Sequence, residues 1–314
     1  MTQLNPKTSL GMVVNYFHNE CSEEHHKLLL TTTKLSLRLL KMNPCVNTVV
    51  LVDGSKKPDT DMREFCLKNE IKYCHSGKQI GYAAAYNLGW KMLDESYIGL
   101  MANDIIPHPL ETIQTLLDWI KKADIGCVAP YFHTNRLYYD EVQRMGYWNR
   151  SLQTCEPASI TLNLNLFKRS VLEKIDGIDE SYMYGYTEPI FIIKIRSLGY
   201  RVVLVGGTQS FHYGELTKSL GASDLKYTQY KMDTQKWLKE YAPYASKRGI
   251  ANIKLWKWPF STTLSTKVLW WICYCCPIIR LRKKLLETVM WIEPFLTHYP
   301  ARYGKICTKD KGRA

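Results

Sequence analysis

Tyr97–Pro109 reads YIGLMANDIIPHP. Its apolar residues Ile98, Leu100 and Met101 run straight into Asn103–Asp104, and a proline-punctuated turn follows. An apolar strand that stops at a carboxylate places it at the carboxyl edge of a sheet, where open α/β sheets bind ligands. A plainer reading makes Asp104 a turn residue, or the N-cap of a helix beginning near Pro109. The stretches on either side decide between the two.

Upstream, strand and helix signals alternate. Met12–Tyr16 is a short apolar strand that breaks into HNECSEEHH. Ser22 followed by Glu23–Glu24 marks a helix start, since acids suit the first turn. Leu28, Leu29, Leu35, Leu39 and Leu40 supply a helical stripe that stops at Asn43–Pro44. The β-branched run Thr48–Val52 predicts a fully buried strand ending at Asp53–Gly54–Ser55. Met62–Lys68 predicts a helix, Ile71–Cys74 a short strand, and the alanine-rich Gly81–Leu93 another helix leading to the opening strand.

Downstream, Glu111–Lys122 places Ile113, Leu116, Leu117 and Ile120 on one helix face. Ile125–Ala129, Leu162–Phe167 and Arg201–Val205 predict strands, the last leading to Phe211–His212–Tyr213–Gly214. Residues 131–157, rich in Tyr, Asn, Arg and Trp, predict a loop region bordering a site. Ser170–Ile175 predicts a helix turn, and Pro189–Leu198 a helix with Gly199 as its C-cap. Strands alternating with helices imply βαβ units and a mainly parallel sheet.

The bulk numbers suit such a domain. The 314 residues allow one large domain plus an appendage, and 46% hydrophobic with 23% charged residues excludes disorder as the default. Forty-two Lys and Arg against 29 acids give +13, which biases the partner towards an anion. Ten cysteines show no paired CxxC spacing for zinc, and MTQLNPKTSL carries no apolar leader segment. The expectation is a reduced, intracellular protein.

Three predicted strand ends thus offer polar groups in order: Asp53, Asn103–Asp104 and His212. Glu188 opens a helix after the aromatic loop YMYGY. Carboxylate and imidazole suit Mn²⁺ or Mg²⁺, with open positions for phosphate oxygens. Neither GxxxxGK[ST] nor GxGxxG occurs, so P-loop and dinucleotide readings lack support. A cation held by few protein ligands suits diphosphate leaving-group chemistry, because it neutralises charge on the departing phosphate.

Five blocks, in order and spacing, carry a resemblance. VVLVDGSKKPD resembles the strand ending in VDDGS or VDNGS of glycosyltransferase family 2, shortened by one residue. QIGYAAAYNLGWKML resembles that family's N-x-G-x-x-x-A-x-N-x-G helix entry, and GLMANDIIPHP its L-[DN]-N-D-V segment. NLNLFKRSVLEKIDGIDESYMYGYTEPIFIIKIRSLGYRV resembles the stretch that includes its E-D helix start, and SFHYG the V-x-H-x-x-G that follows. The match covers about residues 10–240.

The resemblance implies a GT-A fold, a Rossmann-like mainly parallel sheet flanked by helices. It further implies an inverting enzyme that moves a hexosyl or deoxyhexosyl group (rhamnosyl, galactosyl or glucosyl) from a nucleotide-diphosphate sugar to a glycan or lipid-linked acceptor. On this basis Asp104 and His212 are candidate ligands of Mn²⁺ or Mg²⁺, and Glu188 is the candidate base. Asp53, Tyr16, Gly81 and Asn103 are candidates for donor binding. Two departures stand out: Ala102 replaces the first acid of the usual D-x-D, and Thr187 and Pro189 flank Glu188 where an acidic neighbour is common.

The resemblance ends near residue 240, and the expected organisation is a 1–245 catalytic domain followed by a 246–314 helical appendage. Residues 251–314 hold twelve Lys or Arg against three acids and five of the nine tryptophans. Val268–Ile279 is apolar but too short to span a bilayer as a helix, and Pro277 interrupts it. Tryptophan flanked by basic residues suits an anionic membrane surface, and packing on the catalytic domain is the alternative. The resulting expectation is a cytoplasmic protein, peripheral on the inner face of a membrane, with no nucleic-acid partner. Two other functions fit the same residues. One is a sugar nucleotidyltransferase, whose glycine-rich phosphate loop is missing from MVVNYFHNE. The other is a non-catalytic membrane- or nucleic-acid-binding adaptor on a degenerate transferase fold, which Ala102 and Thr187 favour.

Overall fold

The computed structural model describes residues 9–18, 22–107, 110–134, 160–182 and 187–213, with positions 154, 232 and 236. The expected appendage at 246–314, the tip of the aromatic loop at 183–186 and most of the 131–157 loop lie outside the described residues. In chain order the elements are β1 (Leu10–Tyr16), α1 (Glu23–Met42), β2 (Val46–Asp53), α2 (Thr60–Lys68), β3 (Lys72–His75), α3 (Tyr82–Trp90), β4 (Tyr97–Ala102), β5 (Ile105–Ile106), α4 (Glu111–Ile120), β6 (Ile125–Thr134), β7 (Leu164–Lys168), α5 (Arg169–Lys174), α6 (Thr187–Ser197) and β8 (Arg201–His212).

The strands form an eight-stranded sheet in the order β3-β2-β1-β4-β7-β6-β8-β5. It is mainly parallel; β7 runs against β4 and β6, and β5 against β8. Adjacent residues of β1 feed opposite layers. Val13 packs with Ala83, Tyr86, Leu172 and Ile195 under α3, α5 and α6, whereas Met12 and Val14 pack with Leu37, Met62 and Leu116 under α1, α2 and α4. A strand covered on both faces has no polar side to show, which explains the unbroken apolar runs.

Helix ends follow local chemistry. Ser22 caps α1, its hydroxyl accepting from the His25 N–H. After α6, Gly199 at φ 85 lets its own N–H reach the Arg196 carbonyl while Tyr200 N–H reaches Ile195, a Schellman ending. All four apolar residues predicted for one face of α4 are buried.

Two expectations change. On α1, Leu28 and Leu35 are exposed, and the buried face is Leu29, Leu30, Thr32, Thr33, Ser36, Leu37 and Leu40. The hydroxyls tolerate burial because Thr32 and Thr33 donate to the carbonyls of Leu28 and Leu29, and Ser36 shares its single proton between the carbonyls of Thr32 and Ile105. Strands β6 and β8 also run further than predicted. Their register jumps from Ala129↔Leu204 to Tyr131↔Gln209, with Gly207 at φ 77 in the interruption, so the continuation to His212 hides behind a bulge.

The cysteines among the described residues are free thiols. Burial, reinforced by Asp53 and Asp59, pushes the Cys66 thiol up to about 12, which makes it a core residue rather than a nucleophile. No helix among the described residues is long and apolar enough to cross a membrane.

Helix α3 packs tightly on the sheet at Gly89, where an added Cβ would lie 2.2 Å from Val13 Cγ1 and 2.9 Å from Val52 Cγ2. Gly89→Ala is therefore expected to destabilise the fold by about 1–3 kcal/mol through overpacking. Urea unfolding checks this as a lower midpoint with an unchanged slope.

Candidate active site at the carboxyl edge of the sheet

Parallel strands bring their last residues to one edge, and the predicted polar groups assemble there. Register pairs Tyr16 with Asp53 and Asp53 with His75. Further along the edge, Asn15 stands opposite Ala102, and β5 sets Ile105 opposite His212.

Asp104 sits in the two-residue turn between β4 and β5, and His212 ends β8. The β5–β8 pairing brings them together: His212 Nε2 lies 3.2 Å from Asp104 Oδ2, and both side chains are almost fully buried. The Tyr213 N–H closes the same corner by donating to the Asp104 carbonyl. On the far side of the ring, Asn163 Nδ2 is 3.3 Å from His212 Nδ1. An amide donor at Nδ1 suits the tautomer that carries its proton on Nε2, facing Asp104.

Helix α1 supports this turn from beneath. Ser36 Oγ donates to the Ile105 carbonyl at 2.5 Å, and Asn103 Nδ2 lies 3.5 Å from Thr33 Oγ1. Asn103, expected to face a donor, thus turns its amide towards α1.

Glu188 is half-buried in the first turn of α6. Tyr86 of α3 is completely buried nearby. The Tyr86 hydroxyl donates to the Leu162 carbonyl at 2.9 Å. Burial pushes its pKa well above the ordinary tyrosine value, and the charges of Asp104 and Glu188 add to the rise.

The Asp53 end of the edge is organised differently. Asp53 is completely buried; Oδ1 accepts from the Ser55 N–H, and Oδ2 accepts from the Asp59 N–H and the Tyr73 hydroxyl. Burial and that hydrogen bond to Asp53 raise the Tyr73 pKa far above its usual value, so the hydroxyl stays a donor. Tyr16 is also buried, and its hydroxyl donates to Asp59 Oδ2 at 2.6 Å. Asp53 and Tyr16, expected as donor contacts, thus direct their polar atoms into the loop that closes β2. Gly81 is the N-cap of α3 with backbone φ −73, a cap with no side chain.

Residues that drew no notice in the sequence complete the edge. Asn87 is a four-bond clamp: Nδ2 donates to the Ile178 carbonyl and Glu180 Oε1, while Oδ1 accepts from Ile178 N–H and Trp90 Nε1. Its place in the AYNLG run was the available signal. His18, His26, Asp59, Tyr73 and Asn163 meet only through folding, and no local spacing marks them.

The glycosyl transferase family 2 model matches residues 17–174. The chain belongs to this family. A mannosyltransferase from Pyrobaculum calidifontis, solved with GDP-Man and Mn²⁺, superposes with a TM-score of 0.54 at 14% identity, covering 97% of this chain and 88% of that one. GalNAc-T7, solved with UDP, GalNAc and Mn²⁺, superposes with a TM-score of 0.50 at 14% identity. That alignment takes in 93% of this chain and 58% of GalNAc-T7. At these identities the likeness is one of fold, and it establishes the GT-A architecture. No curated protein sequence matches significantly.

Tyr73→Phe is expected to cost about 1–2 kcal/mol, since it removes one of three donors to a buried carboxylate. Denaturant unfolding of the variant at neutral pH checks this, with Tyr97→Phe as an uninvolved control.

Proposed function

We propose that the chain transfers a sugar, with inversion, from a nucleotide-diphosphate donor to an acceptor hydroxyl. The observation that carries this reading is the buried Asp104–His212 pair at the carboxyl edge, with Oδ2 and Nε2 3.2 Å apart. One carboxylate and one imidazole form an incomplete donor set that fits a divalent cation sharing its shell with phosphate oxygens. The imidazole favours Mn²⁺ over Mg²⁺. A bound cation would supply charge neutralisation for the departing diphosphate.

The chain's own residues account for the rest. In the tautomer with its proton on Nδ1, which the Asn163 amide oxygen could accept, His212 would hold the cation through Nε2. Asp104 is held by the short turn that Ser36 anchors, so its carboxylate is pre-positioned. Glu188 takes the proton of the acceptor hydroxyl as it attacks the anomeric carbon from the face opposite the diphosphate. Direct displacement inverts that carbon and requires no nucleophile on the protein. The loop tied down by Asp53 closes the nucleoside side of the edge, with Gly81 opening α3 beside it.

Ala102 favours a non-catalytic adaptor, because it removes one carboxylate from the usual pair. The Asp104–His212 geometry weighs against that, since a site no longer used has no reason to keep both partners buried together. A glycan or lipid-linked acceptor, and an anionic membrane docking through residues 251–314, complete the proposal. The basic, tryptophan-rich composition of that segment supports it.

Calorimetry with a panel of nucleoside diphosphates, with and without Mn²⁺, tests the donor side. Asp104→Ala and His212→Ala are each expected to abolish Mn²⁺-dependent nucleotide binding. Glu188→Gln is expected to keep that binding and lose about 10²–10⁴-fold in turnover. Full turnover in Glu188→Gln removes the base assignment, and unchanged Mn²⁺ dependence in Asp104→Ala removes the cation site. Preference for a triphosphate identifies a nucleotidyltransferase instead.

A further inference from the structure

Away from Asp104, three metal-binding side chains from separate parts of the chain converge beyond the end of β1. His18 follows β1, His26 lies in the first turn of α1, and Asp59 caps α2. One ligand atom from each lies within 4.8 Å of the other two. His26 Nε2 is 2.6 Å from Asp59 Oδ2, and the His18 and His26 ring centroids are 5.4 Å apart. The carboxylate is buried while both imidazoles are partly exposed, so an ion arriving from solvent meets an oriented anionic ligand.

Asp59 and His18 already have outer support. The Tyr16 hydroxyl donates to Asp59 Oδ2, and Met62 N–H donates to Oδ1. Burial opposes ionisation of Asp59, but the hydrogen bonds from Tyr16, His26 and Met62 outweigh it and hold the carboxyl below its ordinary value. The Lys57 carbonyl lies 2.9 Å from His18 Nε2 and orients that ring. Asp53 Oδ2 stands behind it, 3.9 Å from the same nitrogen. Ligands held in place by a second layer of hydrogen bonds bind metal with little reorganisation.

We propose that His18, His26 and Asp59 form a second cation site, for a transition-metal ion of the Zn²⁺ class. Two nitrogens and one oxygen suit Zn²⁺ or Co²⁺, whereas Mg²⁺ and Ca²⁺ prefer all-oxygen shells. Three protein ligands leave one position open in a tetrahedral shell. The ion takes the place of the direct contact between His26 and Asp59, and it ties the end of β1, the start of α1 and the DGSKKPD loop into one unit. It shares no ligand with Asp104 and His212.

The test uses the full chain, stripped with a chelator and titrated with Co²⁺ and then Zn²⁺. In Asp104→Ala, one Co²⁺ is expected to bind with visible ligand-field bands that Zn²⁺ abolishes, and Zn²⁺ should raise the thermal midpoint. His18→Ala and His26→Ala are each expected to weaken binding at least about tenfold and remove the Zn²⁺-dependent shift. Their metal-free midpoints report whether folding is intact. His26→Gln, which keeps a donor towards Asp59, replaces the alanine variant if that one unfolds. Absence of Co²⁺ binding in Asp104→Ala overturns the proposal, as does parental Zn²⁺ affinity in the His18 and His26 variants. None of these readouts depends on sugar transfer, so their outcome separates this site from the proposed catalytic one.

Discussion

A carboxylate taken out of water must be fully paired, and the carboxyl edge of this sheet is arranged around that constraint. Asp53 is completely buried at the end of β2 and is satisfied by two backbone N–H groups and one phenol. Meeting that demand draws Ser55 and Asp59 back beneath the strand and fixes the path of the loop between them. Asp59 then caps α2 through Met62 and receives the Tyr16 hydroxyl. One buried charge therefore sets the loop after β2, the start of α2 and the end of β1.

The other half of the edge depends on hydroxyls rather than charge. Helix α1 buries Thr33 and Ser36 against the Asn103–Ile105 turn, and Ser36 bonds both its own helix and β5. That anchoring holds β5 where it can pair with the end of β8, which delivers His212 to Asp104. Helix α3 plays the same part on the opposite layer. Its Gly89 allows close approach to β1 and β2, Asn87 binds the Ile178–Glu180 loop, and Tyr86 reaches the Leu162 carbonyl beside the end of β1. Conserving volume at Gly89 and hydrogen-bond capacity at Asn87 keeps the helix seated, and through it the edge.

Much of this was legible in the residues themselves. Unbroken β-branched runs, Ser22 before paired glutamates and the spacing on α4 are local signals with local causes, and the corresponding elements lie where those signals put them. Local signals mislead where a residue's environment is set from afar. Leu28 and Leu35 read as core, yet they are exposed, because the buried face of α1 is partly hydroxyl. Strand β8 read as ending at Val205, because Gly206–Gly207 interrupts the pattern while the ladder resumes beyond it.

The sequence alone determined the order of strands and helices and the presence of acids and a histidine at strand ends, since periodicity and turn chemistry act over a few residues. The resemblance of five spaced blocks identified the family on the same local footing. Only the tertiary structure decided which polar groups meet. Asp104 and His212 are more than a hundred positions apart, and they become neighbours because β5 pairs antiparallel with β8. His18, His26 and Asp59 converge because a buried carboxylate next to them pulls the loop after β2 back against β1. Such meetings depend on strand register and on the pairing of buried charge, and neither is written in any short stretch of chain.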